Sequence, residues 1–404
     1  MRVLYIHQYF KTPEESGVLR SYHLARGLVK AGHEVEMITA HNLPYSETKT
    51  IQGINVHYLP VPYSNQMGFG SRVAAFVRFA WLGSLVASNI KKVDLCYCTS
   101  TPLTVGLIAL YLKWRFGIRY IFEIRDLWPE APIQLGFISN PILKALLYAF
   151  EKILYRHSEK VVSLSSGTTG YLNLKVPETE IQEIPNMADC EFFTRQVKSP
   201  GLLTEFKIQA KFVISYLGTL GQANRVGSIV DLASACRDQS VQILVAGEGK
   251  YTEDLLREIE ERNIGNLRFL GFRAQESVGQ ILNISDAVLV SFQEAPILQF
   301  NSPNKLFDGL AAGKMIIVNV DGWIRQLVEE YQFGFYWSGS DPTELLYNLD
   351  PYLQDPDLLL KTQLNARNLA ESKFSKRRLV QKLVDTVEST KPRDISTKAY
   401  TSTT

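Results

Sequence analysis

Hydrophobic positions along the chain gather into short, nearly unbroken runs separated by segments with helical spacing. In the first half the runs are Val3–Ile6, Val35–Thr39, Leu95–Cys98, Tyr120–Ile124 and Val161–Leu164. In the second half they are Phe212–Leu217, Val241–Ala246, Leu267–Leu270, Ala287–Phe292 and Met315–Val320. Apolar runs alternating with helices predict parallel strands covered on both faces. Between Pro185 and Phe212 the pattern lapses into turn-forming residues, which reads as an interdomain connection. The pattern therefore predicts an α/β protein with two domains, over 1–190 and 205–375, then a helix over 376–390. The Ser/Thr/Lys-rich tail 391–404 has the composition of a disordered segment.

At 404 residues the chain exceeds what one core holds efficiently, which agrees with two domains. With 46% apolar and 21% charged residues and a net charge of +2, it lacks the basic excess that nucleic-acid binding requires. The four cysteines are scattered. Cys96 and Cys98 share a strand face too widely spaced to bridge readily, and no His or Cys lies nearby in sequence to complete a metal site. A reducing compartment is expected. The N-terminal run is too short for a signal peptide or a span, so a strand is expected at the start.

The stretch Ser71–Lys92 is mostly apolar but contains Arg78 and is barely long enough to span a bilayer. Two readings stay open: a helix packed on the sheet, or one resting on an anionic membrane surface. In the second reading Phe76, Phe79 and Trp81 form the apolar side, with Arg72, Arg78, Lys91 and Lys92 nearby.

A second stretch reads as a short capped helix from Pro303 to Ala312. Ser302 is placed to cap it, Pro303 suits its first position and Gly313 a left-handed stop. Helical spacing puts Leu306, Phe307, Leu310 and Ala311 on a packing side, and Lys305, Asp308, Gly309 and Ala312 on the other. That second side reads either as a ligand face or as a solvated face with an i,i+3 ion pair.

In open parallel sheets ligands bind beyond the strands' C-terminal ends. The residues there are His7-Gln-Tyr-Phe10, then Gly17 ahead of a helix, and Arg125-Asp-Leu-Trp-Pro-Glu130. In the second half they are Gly218-Thr-Leu-Gly221 and Gly247-Glu-Gly249-Lys250. Each glycine pair alone is a weak signal, but their convergence suits a diphosphate held on backbone N–H groups. No complete Walker loop follows a strand.

These motifs, with Gly32-His-Glu-Val35, Ile184-Pro-Asn186 and Pro303-Asn-Lys-Leu-Phe-Asp-Gly-Leu-Ala-Ala-Gly-Lys314, resemble the family 4 glycosyltransferases from Met1 to about Lys376. The closest likeness is to the bacterial O-antigen and exopolysaccharide branch of N-acetyl-L-fucosamine transferases. The resemblance implies a GT-B fold of two facing Rossmann-like domains, acceptor-side first and nucleotide-sugar-binding second, with the C-terminal helix packing back on the first. It implies a retaining enzyme that moves a sugar, of N-acetylated hexosamine or deoxyhexosamine type, from a UDP-linked donor to a lipid-linked glycan. No metal or other cofactor is expected, and the location implied is the cytoplasm, with the inner face of the membrane as the place of the acceptor; contact through residues 71–92 belongs to the second of the two readings of that stretch.

The family grips the donor ribose with two glutamates separated by seven residues. Here those places hold Phe300 and Asp308, and the diphosphate-binding cations fall near uncharged Thr219 and Asn224. Lys305 and Arg225 are the substitutes expected on the diphosphate. The site residues implied are His7, Asp126, Glu130 and Lys305 for catalysis. For the donor they are Gly17, Gly218, Thr219, Arg225, Gly247, Phe272, Lys305 and Asp308. The missing glutamate keeps two alternatives open: a non-catalytic homologue acting as a partner subunit, and a sugar-nucleotide 2-epimerase.

Overall fold

A computed structural model describes residues 1–15, 17–64, 67–237 and 240–390, so the tail expected to be disordered lies outside the described residues. The first sheet holds eight strands: β1 (Arg2–Ile6), β2 (Glu34–His41), β3 (Glu47–Ile51), β4 (Ile54–Pro60), β5 (Leu95–Thr99), β6 (Arg119–Ile124), β7 (Lys160–Ser163) and β8 (Ile181–Glu183). Their order is β3-β4-β2-β1-β5-β6-β7-β8, parallel throughout except for the β3–β4 hairpin. The second sheet holds β9 (Phe212–Leu217), β10 (Val241–Ala246), β11 (Leu267–Gly271), β12 (Ala287–Val290), β13 (Met315–Val318) and β14 (Gly334–Tyr336). It is parallel, in the order β11-β10-β9-β12-β13-β14. Two doubly covered α/β layers facing each other make the GT-B architecture the sequence led us to expect.

Strands β9 and β10 occupy the runs read from the sequence, because every residue of β9 and nearly every residue of β10 is buried. Strands β3, β4, β8 and β14 were not anticipated. β3 is a polar, mostly exposed edge strand, and β8 and β14 are three residues each, too short for periodicity to register. The β3–β4 turn sets Gln52 and Gly53 at φ of 52° and 86°, the left-handed pair that a tight hairpin needs.

The chain crosses between the sheets twice, and the crossings touch. Ala188 pairs with Ser375, and Lys376 Nζ holds Asp189 at 2.8 Å. After a π turn at Ala370–Phe374, the helix Lys376–Glu388 packs on the helix Arg20–Lys30 of the first domain. Leu379, Leu383, Val384 and Val387 join Leu24 and Leu28 in one buried cluster. Gly27 makes that approach possible, since a Cβ there would sit 2.1 Å from Val380.

The helix Phe69–Asn89 is long and apolar enough to cross a membrane by length and composition. In the fold one side lies on the sheet: Ala75, Phe76, Phe79, Ala80, Gly83 and Ala87 are buried. This corrects the expected outer face, because only Trp81 of the three aromatic residues is exposed, beside Val73, Val77 and Leu85. Gly83 lets the helix approach the neighbouring helix Val105–Phe116, where a Cβ would meet Ile108 at 2.6 Å.

Candidate active site

At the C-terminal end of β1, His7 is buried and accepts from Arg125 Nη1 through Nε2 at 3.2 Å. Its Nδ1 has no partner. Burial and the charges of Arg125 and Arg20 hold its pKa well below the ordinary value, so the ring is neutral. With the Arg125 guanidinium as donor, Nε2 accepts and the proton is assigned to Nδ1.

Beside it stands a buried ion pair between Arg20 and Glu123. Arg20, the first residue of the helix after the Gly17 loop, lies 2.9 Å from Glu123, both side chains being almost fully buried. Arg20 also donates to the carbonyls of Ile184 and Pro185 at 2.8 and 2.5 Å, and Tyr97 donates to Glu123 at 2.6 Å. Burial pushes the Glu123 carboxyl up, but Arg20, with Arg125 and the Tyr97 hydroxyl, outweighs it and leaves the group below the ordinary carboxylate value. The one signal in the sequence is a glutamate inside an otherwise apolar run; its partner, 103 residues away, carries none.

In the second domain β9 runs into Gly218, where φ is +118°. Gly247, with φ of +154°, lies so close that a Cβ on it would sit 1.8 Å from the Gly218 carbonyl oxygen. Only glycine fits there. Under this double turn comes Lys305, from the helix Asn304–Ala311. Its Nζ stands 3.7 Å from the centroid of the Tyr216 ring and has no hydrogen-bond partner. A Cβ on Gly218 would be 4.0 Å from that nitrogen. Burial lowers its pKa to about 7. A buried ammonium with no counterion, at a glycine turn, is suited to an incoming anion.

The helix itself differs from expectation in three respects. Ser302 makes no cap bond, and Pro303 takes the cap position in extended conformation. Gly309 belongs to the packing side, since a Cβ there would meet Ile316 at 2.9 Å and Val288 at 3.1 Å, and Ala312 is buried as well. Lys305 and Asp308 also diverge: the lysine turns inward to Tyr216, while half-buried Asp308 lines the cleft. Burial and Asp189 raise the Asp308 carboxyl to about 7. Gly313, with φ of +62°, supplies the expected left-handed stop.

A cavity of about 630 Å³ opens between the domains, lined by Gly17, Arg20 and His23 from the first and by Phe272, Asn304 and Asp308 from the second. Of the anticipated residues it gathers Gly17, Phe272 and Asp308. Others are engaged elsewhere. Arg225 is held by Glu294 at 2.6 Å and by the Ser338 carbonyl, so its charge is already met. Thr219 is exposed and its carbonyl accepts from Tyr216. Asp126 is exposed and accepts from Thr101 at 3.1 Å. Both Glu130 oxygens are taken, by Gln134 and Tyr148. Phe300, at the position of the missing glutamate, turns to the first domain, its ring 5.7 Å from that of Tyr171. A groove of about 760 Å³ beside the C-terminal helix is lined by Arg377, Arg378, Glu183 and Asp385 with others; its charges are mixed and it lies apart from the glycine turns. Among the described residues no three His, Cys, Asp or Glu side chains are grouped to hold a metal ion.

Comparison with known proteins gives this geometry a context. Residues 17–187 match the family described as glycosyl transferase 4-like domain, and residues 205–369 match glycosyl transferases group 1. The putative colanic acid biosynthesis glycosyl transferase WcaI of Escherichia coli K12 is 21% identical over 224 residues, covering 53% of this chain and 55% of its own length. Among solved structures, sucrose-phosphate synthase of Thermosynechococcus elongatus superposes with a TM-score of 0.78 at 16% identity, over 96% of this chain and 98% of that one. HepE of Anabaena, solved with UDP, gives 0.69 at 17% identity, over 96% and 100%.

Proposed function

The chain belongs to the glycosyltransferases of the GT-B fold, and from that premise we propose that it moves a sugar from a UDP-linked donor to a lipid-linked glycan, with retention of anomeric configuration. The observation that carries this reading is Lys305, a buried amine over the Tyr216 ring with no hydrogen-bond partner, at the Gly218–Gly247 turn. As the bond from the anomeric carbon to the diphosphate oxygen breaks, negative charge grows on the leaving group. The Lys305 ammonium stabilises it, since the Gly218 and Gly247 N–H groups already donate to the Ala246 and Gly271 carbonyls. Asp308, beside the cleft, accepts from the ribose hydroxyls. The acceptor hydroxyl attacks from the face the diphosphate leaves, and its proton passes to the departing phosphate oxygen, so no side chain need act as nucleophile. Neutral His7 offers an Nδ1–H to the sugar or the acceptor.

The membrane contact is part of the same proposal. Val73, Val77, Trp81 and Leu85 are exposed on one helix, Leu107, Tyr111 and Trp114 on the next, and Ile142, Leu146 and Ile153 on the helix Pro141–His157. Exposed apolar side chains on three helices, with Arg78, Lys91 and Lys92 exposed on or just after the first, suit the inner face of an anionic bilayer. There the sugar chemistry of the family and a lipid-borne acceptor would meet.

The test is UDP affinity together with turnover of a panel of UDP-sugars on extracted lipid-diphosphate acceptor. No binding and no turnover with any of them would refute the reading. Phe300 in place of an acidic residue favours one alternative, a non-catalytic partner subunit, for which UDP binding without turnover is the expected result.

A further inference from the structure

The segment leading into the Lys305 helix is fastened to the opposite domain. Pro296–Phe300 forms a single 3-10 turn with Ile297 buried. The Ile297 amide donates to Gln134 Oε1 of the first domain at 3.0 Å. At the other end of the turn the Phe300 carbonyl accepts from Ser165 at 2.9 Å and Thr168 at 3.3 Å. Two residues on, the Ser302 carbonyl accepts from Asn186 at 2.6 Å. Lys305 follows three residues later.

Gln134 can play its part only in one orientation. Its amide has a donor end and an acceptor end, and a flipped amide would set an NH₂ group against the Ile297 N–H. Glu130, one helical turn earlier, decides the matter: its Oε1 accepts from Gln134 Nε2 at 2.7 Å, which points Oε1 of Gln134 at Ile297. Its other oxygen accepts from Tyr148 at 2.5 Å, which fixes the carboxylate in turn. Glu130, which the family resemblance implies as a catalytic residue, thus has both oxygens occupied within its own domain.

We propose that Glu130 is a positioning residue which, by orienting Gln134, latches the Pro296–Phe300 turn across the cleft and holds the Lys305 helix in register with the first domain. This rests on the reading that transfer takes place in that cleft. The latch uses the place where the glutamate motif is broken, so that Phe300 serves domain docking.

Three variants test it: Gln134→Leu, Glu130→Leu and the conservative Glu130→Gln, whose amide oxygen can still accept from Gln134. Two quantities are read, hydrogen exchange at the Ile297 amide and the division of any rate loss between kcat and acceptor KM. Gln134 is exposed, so its replacement leaves the core intact. Gln134→Leu and Glu130→Leu should each speed exchange at Ile297 and lower kcat about five- to tenfold, the loss expected for one hydrogen bond. Acceptor KM should stay within about twofold, and the double variant should be no worse than either single one. Glu130→Gln should keep protection and most of the rate. A rise in acceptor KM of about tenfold in Glu130→Gln and Glu130→Leu alone would overturn the proposal in favour of direct acceptor contact. Unchanged exchange at Ile297 in Glu130→Leu would overturn it equally. Exchange needs no substrate, so it reads the latch even if the wild-type chain were to turn over no nucleotide sugar.

Discussion

Donor binding should move protons, and the sign should change with pH. In the free protein burial places Lys305 at about 7 and, together with Asp189, places Asp308 at about 7. A bound diphosphate restores the ammonium, so Lys305 takes up ~0.9 proton at pH 8, ~0.5 at pH 7 and ~0.1 at pH 6. If Asp308 grips the ribose as a carboxylate, it releases ~0.1, ~0.5 and ~0.9 proton at the same values. The sum is an uptake of ~0.8 proton at pH 8, little exchange near pH 7 and a release of ~0.8 at pH 6. Calorimetry in buffers of different ionisation enthalpy measures this directly. A UDP-sugar should be used as ligand, since terminal phosphate groups titrate near pH 6. Lys305→Met should abolish the uptake at pH 8. An uptake below ~0.2 proton at pH 8 in the wild type would remove Lys305 from the diphosphate.

The same lysine carries a stability cost whose pH dependence is opposite in sign to that of a lysine paired in a salt bridge. Its pKa falls from 10.5 in the unfolded chain to about 7 in the fold. The unfolded state therefore binds more protons between those values, and stability rises with pH across them. Below pH 7 the cost is of order 5 kcal/mol, so Lys305→Met should raise the Tm of the apoprotein at pH 6, and the gain should fade toward pH 10.

Three further outcomes are expected. Asp308→Asn should raise donor KM by about tenfold with little change in kcat, measured by steady-state kinetics; a large loss of folded protein would mark Asp308 as structural. Arg20→Met leaves Glu123 buried without its cation and should cost about 3–5 kcal/mol in denaturant unfolding, whereas the double change with Glu123→Leu should recover much of that. Replacing Val77, Trp81 and Leu85 with serine should reduce flotation with anionic vesicles while leaving Tm nearly unchanged; equal flotation would defeat the membrane contact.

What the sequence reveals follows the physics of each element. Strands buried on both faces, such as β9 and β10, leave unbroken apolar runs. β3 is exposed on an edge and leaves a run indistinguishable from a loop. Helical arithmetic identified Lys305 and Asp308 as the unusual residues of their helix. It misassigned Gly309 because a glycine's side is invisible until the strands under it are known. The Arg20–Glu123 pair and the Gln134–Ile297 bond are tertiary. Each joins residues more than a hundred positions apart, and local pattern holds no trace of either.

The helix Lys376–Glu388 closes over Leu24 and Leu28 of the first domain. Synthesis from the N-terminus supplies this cover roughly 350 residues after the helix it covers, so the first domain must wait on the ribosome with an apolar face unsheltered. Its completion is therefore tied to that of the second domain. A shortened product ending before Lys376 would leave a first half that emerges early and still lacks its last layer.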